Sequence, residues 1–189
     1  MDETRSQILD VAEELAQSRG FNAFSYRDIA HEVGIRAPSI HYHFASKDDL
    51  GASLVERYRN RFAEERTRIE RRAKSARDRL RRFGRLFRTP LIHGNKMCLC
   101  GLLSAEFATL APAIQKELQL FWKDNEQWLT NTLGEGYACG DLKFKGDGAT
   151  RAKLFLAGLE GAMLAARVAG DLSHFDDILD ALLNDVTAK

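Results

Sequence analysis

The sequence is poor in proline, with three in 189 residues, at positions 38, 90 and 112. Proline fixes φ and removes a hydrogen-bond donor, so its scarcity leaves long stretches free to run as helix. Strand-like alternation of apolar and polar residues is also scarce, and the two absences together point to an all-α fold. No apolar run reaches the ~18 residues that a membrane span needs, and no leader pattern precedes Met1-Asp2-Glu3. Three cysteines, two of them in a Cys98-x-Cys100 arrangement, do not make a disulfide framework. A cytoplasmic protein with no membrane attachment is the expectation. Paired carboxylates, a nucleophile–base set and metal-ligand spacing are all missing, which argues against an enzyme and implies no cofactor. No internal repeat or low-complexity tract occurs.

The net charge is +1, from 28 Lys and Arg against 27 Asp and Glu, which is not the balance of a generic nucleic-acid binder. Its distribution is uneven. Residues 1–50 hold 5 basic and 9 acidic residues, and residues 57–88 hold 14 basic and 4 acidic ones. An N-terminal segment that met a polyanion would therefore need its acids (Asp2, Glu3, Asp10, Glu13, Glu14) on the face away from it.

Phe24 to Leu50 reads FSYRDIAHEVGIRAPSIHYHFASKDDL. Ser25 is a good N-cap and Asp28 stands three residues on, as in a capping box. A short helix over about Tyr26 to Val33 has Ile29, Ala30 and Val33 on one face. Gly34 ends it where a left-handed backbone costs glycine little. Pro38 sits in the first turn of a second helix, where its missing N–H leaves nothing unpaired. Ile40 and Phe44 form that helix's buried side, and Ser39, His41, Tyr42 and His43 are left outward. Ser46 caps a third helix, with Asp49 at its third position. Two short helices about a glycine turn make a helix-turn-helix, and a two-turn helix suits a major groove about 12 Å wide. A plain helical hairpin has the same spacing.

The full pattern distinguishes the two. The phenylalanine, Ile-Ala, Gly-Ile, Ile-x-Tyr-x-Phe and Ser-Lys elements all stand in register over about Ile8 to Leu50, and this stretch resembles the N-terminal signature of the tetracycline-repressor (TetR-like) family of bacterial transcription regulators. The rest of the chain is similar to that family in length and helix order only. The resemblance implies operator DNA as a partner. Arg36, Ser39 and His41 are then the base-edge candidates, since arginine can donate two bonds to a guanine and serine specifies little alone. Tyr42 and Lys47 match phosphate-contacting positions, His43 matches a DNA-facing one, and Ser25 and Tyr26 stand where they could reach the backbone. Ala37-Pro38 and His41 depart from the commoner family pattern, so position 37 can offer only apolar contact. His41 and His43, two apart on a helix, do not share a face as metal ligands would.

In chain order, a first helix spans about Glu3 to Arg19, with Ile8, Leu9, Ala12, Leu15 and Ala16 as its core face and Gly20 as its stop. A long helix runs from about Lys47 to Arg72 on a stripe of Leu50, Leu54, Tyr58, Phe62 and Ile69. Another covers 74–88, with Leu80, Phe83, Leu86 and Phe87 inward. Its arginines read as a solvated face, as a phosphate-attracting surface or as a stripe that meets an acidic partner. Pro90 and His93-Gly94-Asn95 break the chain. A helix starts in Met97 to Phe107, the next runs about Ala113 to Leu133, and five glycines between 134 and 148 read as a loop. Helices over about Ala149 to Ala169 and Ser173 to Val186 close the chain. About nine helices result, with a helix-turn-helix domain over residues 1–46 and a helical regulatory and dimerisation domain over residues 47–189.

The resemblance implies a homodimer through the last two helices, for which Leu156, Leu159, Gly161, Ala162, Leu164, Ala165 and Val168 and then Ile178, Leu179, Leu182 and Leu183 supply apolar and small residues. These could equally be monomer core. It also implies an effector pocket, for which Leu103, Phe107, Phe121, Trp122, Trp128, Phe155 and Met163 are the large apolar candidates. Cys98 and Cys100 read as buried structural thiols, as metal ligands in want of partners, or as a thiol sensor. MCLCGLLSAEF is similar to the cysteine-bearing segment of family branches that respond to electrophiles. The expected function is a DNA-binding transcriptional regulator, a repressor released by a small-molecule or electrophile effector. A small all-α enzyme and a protein-interaction module are the alternatives.

Overall fold

The computed structural model describes residues 3–187, and among them all regular structure is helical. Helix α1, Glu3–Arg19, buries Ile8, Leu9, Ala12, Leu15 and Ala16 at the 3–4 spacing of one face. It stops at Gly20, whose φ of +95° favours a residue without a Cβ. A 3-10 turn, Phe21–Ala23, leads to α2, Tyr26–Val33, α3, Ala37–His43, and α4, Lys47–Arg72. Ser46 and Asp49 cap α4 reciprocally: the Ser46 N–H donates to the carboxylate at 3.1 Å, and the Asp49 N–H donates to the serine hydroxyl at 3.1 Å. Leu50, Leu54, Tyr58, Phe62 and Ile69 are all buried along α4.

Three boundaries differ from the sequence expectation. Helix α5, Ala76–Ile92, continues through Pro90. The proline falls in the last turn, where it removes one backbone bond and the helix ends two residues on. Helix α6 is only Leu99–Ala105, and Phe107 belongs to a separate 3-10 turn, Phe107–Thr109. Helix α7, Pro112–Ala138, runs through Gly134 and Gly136. A Cβ at Gly136 would lie 2.6 Å from both Ala76 Cβ and Leu142 Cδ1, so glycine stands there for close packing and breaks nothing. Helix α8, Gly148–Ala169, begins on an Asp147 cap and ends at Gly170, and α9 is Ser173–Asp185.

The helices gather into two compact units that do not follow chain order. The first holds the described residues up to Arg61 together with Cys98–Phe121, and its core includes Phe21, Phe24, Ile29, Ile40, Phe44, Leu50, Leu99, Leu103 and Ile114. The second holds Phe62–Met97 and the described residues from Trp122 on. There Phe62 packs edge to face on both Phe83 and Phe87, and Phe83 stacks on Trp128 with ring centroids 5.1 Å apart. Leu179 of α9 fits against Gly84 of α5, where a Cβ would meet it at 2.5 Å.

Candidate nucleic-acid interface

Helix α2 is eight residues long and depends on its caps. The Ser25 N–H and hydroxyl both donate to the Asp28 carboxylate at 2.7 Å. Those two bonds hold the Asp28 carboxyl below the usual carboxylate range, the hydroxyl contributing most. At the other end Gly34 takes φ +75°, and the Ile35 N–H closes back on the Ala30 carbonyl at 3.0 Å. The turn thus delivers α3 at a fixed angle, and α3 is pinned by Ile40 and Phe44, both fully buried.

Of the residues named from the sequence on the other side of α3, all but His43 are exposed. Tyr42 is 87% exposed, Arg36, Ser39 and His41 are exposed, and His43 is half-buried with its ring edge-on to Tyr42 at 5.2 Å. Arg36 is the N-cap of α3 by backbone only, so its guanidinium is not used in capping. Two of the named residues turn inward. The Tyr26 hydroxyl donates to the Phe44 carbonyl at 3.1 Å, and burial, reinforced by the Asp49 and Asp48 carboxylates, pushes its pKa up to about 12. The Lys47 ammonium donates to the Phe24 carbonyl and lies over the Phe21 and Phe24 rings, 4.9 and 4.5 Å from their centroids. Burial draws its pKa below the usual lysine value, against the pull of the Glu106 carboxylate. Both side chains brace the helix-turn-helix from inside. His41 packs edge-on to Tyr26, 4.8 Å between ring centroids, with Nδ1 3.3 Å from the Ala45 carbonyl oxygen. Arg27, not among the residues named from the sequence, is also exposed in the first turn of α2, beside Ser25 and Tyr26.

The acidic excess of the N-terminal segment is partly neutralised within its own unit. Arg57 of α4 donates to Asp10 at 2.8 Å and to Glu13 at 3.1 Å, and Arg61 also pairs with Glu13. Those α1 acids are engaged by α4. Asp2 lies outside the described residues.

The nine effector candidates are divided between the two units. Cys98 and Cys100 are buried in the first, 1% and 0% exposed, with the Tyr58 hydroxyl 3.7 Å from the Cys98 sulfur. Leu103 and Phe121 are buried there too, and Phe107 is half-buried. The second unit holds Trp122 and Trp128, both half-buried, and Phe155 and Met163, both buried. Trp128 donates to Glu70 at 2.7 Å. Polar residues also enter this second core. Arg66 stands on the apolar stripe between Phe62 and Ile69, and donates to the fully buried Asn125 at 2.7 Å. The apolar pattern of α4 hid it. Cys139 is exposed.

On α8 the residues expected at a dimer face separate. Leu156, Leu159 and Ala162 are protomer core. Leu154, Ala157, Gly161, Leu164 and Val168 are exposed, at alternating steps of three and four.

Residues 8–54 match the family described as "Bacterial regulatory proteins, tetR family". Residues 76–182, more than half of the chain, match "Tetracyclin repressor-like, C-terminal domain". The chain belongs to the TetR family. A TetR-family transcriptional regulator from Agrobacterium tumefaciens is similar throughout, with a TM-score of 0.94 and 34% identity over 98% of each chain. The HTH-type transcriptional activator FasR of Mycolicibacterium smegmatis is 35% identical over 57 residues, 30% of this chain and 26% of that protein. The HTH-type transcriptional repressor KstR2 of Mycobacterium tuberculosis is 37% identical over 51 residues, 27% of this chain and 26% of that protein. The chain thus spans about a quarter of the length of these two curated relatives. TetR-family proteins are DNA-binding regulators, and membership does not favour the enzyme and interaction-module alternatives. Among the described residues of this TetR-family chain, no helix is long and apolar enough to cross a membrane.

Proposed function

We propose that this TetR-family protein is a cytoplasmic, sequence-specific DNA-binding repressor, released from its operator by a small-molecule or electrophile effector and acting as a homodimer. The observation that carries the reading is α3, a two-turn helix whose polar and aromatic side chains are outward while Ile40 and Phe44 fix it from below. Arg36, Ser39 and His41 read base edges. Tyr42 and His43 position the helix, and Arg27 adds a backbone contact beside the capped start of α2. Ser25, Tyr26 and Lys47 act chiefly by holding the head together. Residues 1–46 are the reading head and residues 47–189 carry effector response and dimerisation.

The dimer reading is supported by the exposed α8 stripe, whose steps of three and four are those of a helix seam. A single two-turn reader offers little contact, and two linked readers spaced by a turn of DNA (~34 Å) multiply affinity without new chemistry. An effector works only by preferring the arrangement in which the readers are out of register. We assign that signal to α6 and its passage to α4. Arg66 and Asn125 are the polar groups that an effector in the second unit would meet. An electrophile would instead act at Cys98 or Cys100, and their burial means the reagent must wait for the segment to open.

The test is a salt-dependent gel shift on DNA selected from random sequence. Wild type binds selectively, while Arg36→Ala and Tyr42→Ala each lose about tenfold or more with melting temperature unchanged. Normal binding by both variants would overturn the site. Unchanged operator affinity after alkylation of Cys98 and Cys100 would overturn thiol sensing.

A further inference from the structure

The head is joined to a distant stretch of chain by one carboxylate. Glu106, the residue that closes α6, accepts from the Phe21 N–H at 3.0 Å, from the Asn22 N–H at 3.1 Å and from Asn22 Nδ2 at 2.5 Å. Asn22 Nδ2 also reaches Thr109 Oγ1 at 3.1 Å, on the 3-10 turn that follows. The partners are about 85 residues apart in sequence and lie in the same compact unit. Phe21 and Asn22 form the turn between α1 and α2, where the helix-turn-helix begins. A turn's first N–H groups have no partner within the turn, so a carboxylate that takes two of them fixes its direction as well as its position.

The sequence around the clasp is fitted to it. Gly20 has φ +95°, and a Cβ there would lie 2.7 Å from Glu106 Oε1. The same glycine that stops α1 makes the opening through which the carboxylate reaches the turn. Lys47, bound to the Phe24 carbonyl on the other side of that turn, lies within the electrostatic reach of Glu106. Two further contacts join the same pair of chain segments. Gly51 of α4 lets Ile114 of α7 and Phe21 come together where a Cβ would meet them at 2.5 and 2.7 Å. Arg59 of α4 pairs with Glu117 of α7 at 3.1 Å, both mostly buried.

We propose that Glu106 is a positioning residue for DNA reading, a clasp that sets the orientation of the head on α6 and the start of α7. A displacement of α6 then reaches α2 and α3 directly through the 20–22 turn, in parallel with any path along α4. The proposal rests on the DNA-binding reading above and adds the residue that transmits to the head.

A purely structural carboxylate and a clasp predict different results. The probe is selected operator DNA whose two half-sites are moved apart or together one base pair at a time. Wild type prefers one spacing sharply. In Glu106→Ala the optimum weakens about tenfold, the scale of a lost charge-assisted bond, and the preference broadens across neighbouring spacings. Asn22→Ala, an exposed change that leaves the Glu106 backbone bonds in place, broadens it less. Uniform weakening at all spacings, or a wild-type profile in both variants, overturns the clasp. Amide exchange gives an arm independent of DNA: the Phe21 and Asn22 N–H groups lose protection in Glu106→Ala while the α1 and α4 amides keep theirs. If wild type binds no DNA selectively, the functional reading fails. Unchanged protection of Phe21 and Asn22 overturns the clasp whatever the DNA result.

Discussion

Leu164→Glu tests the dimer where the structure makes it most exposed to failure. Leu164 lies on the α8 stripe and is 54% exposed, with Leu154 at 51% and Val168 at 89% on the same stripe. Fully burying a leucine contributes ~1.5–3 kcal/mol, so closing the remaining half of Leu164 is worth ~1 kcal/mol per protomer and ~2 kcal/mol per dimer. That loss alone weakens a dimer about thirtyfold. A glutamate also places two like charges in an apolar seam, and desolvating them costs at least as much again. The dimer dissociation constant should therefore rise about a thousandfold. Sedimentation equilibrium across a dilution series reads the constant directly, and circular dichroism should be unchanged because the side chain adds little to the protomer core. Lys123→Glu, an exposed charge change on α7, is the control. Operator binding should collapse to weak half-site binding in Leu164→Glu alone. A variant that remains dimeric wherever wild type does would refute the assignment of α8.

Packing at glycine gives a stability prediction. Gly51→Ala forces a methyl group against Ile114 and Phe21 and should cost about 1–3 kcal/mol, read as a fall of roughly 5 °C in Tm; Gly134→Ala, in a helix with nothing within 4 Å of the new Cβ, should hold or raise Tm. Thiol labelling followed by mass spectrometry should modify Cys139 quickly, and Cys98 and Cys100 only slowly or after unfolding; three equal rates would contradict the burial. Acid should weaken the caps. Hydrogen bonds, chiefly from the Ser25 hydroxyl, the Thr150 N–H and the Ser173 N–H respectively, hold Asp28, Asp147 and Asp171 below the usual carboxylate pKa. Their folded values lie under the unfolded value of about 4, so this stabilisation is complete above that pH and is lost as pH falls through the folded values. Urea midpoints should drop on that limb, and Asp28→Asn should make the drop shallower; an acid limb identical to wild type would remove Asp28 from the account.

Much of the head was legible because its signals are local. Ser25 with Asp28, Gly34, Pro38 and Ser46 with Asp49 each fix a helix end within four residues, and their caps and turns stand in the structure where that chemistry puts them. The run of α7 past Leu133 was not legible. Gly134 and Gly136 look like helix breakers in sequence, and only the approach of Ala76 and Leu142 explains Gly136. Tyr26 and Lys47 were placed on the right elements, but nothing local said that their polar ends would go to the Phe44 and Phe24 carbonyls. Glu106 stood in a short polar step after an apolar run, and its partners are too far along the chain for any periodicity to announce. Arg66 was hidden for a related reason: one charged residue on an apolar stripe looks like noise until its buried amide partner is known.

The discontinuity of the first compact unit bears on how such proteins can exchange parts. A crossover within α4 that replaced residues 1–61 would bring in a foreign head without residues 98–121, which complete its fold. The incoming turn at 20–22 would meet a carboxylate fitted to another glycine and another asparagine, and the incoming residue 51 would meet Ile114. Chimeras built to change operator choice should therefore graft the side chains of α3 onto this head, or carry both segments together. On the proposed reading, this head should not exchange freely as a cassette, and new operator specificities should be more accessible through point changes at Arg36, Ser39 and His41 than through recombination.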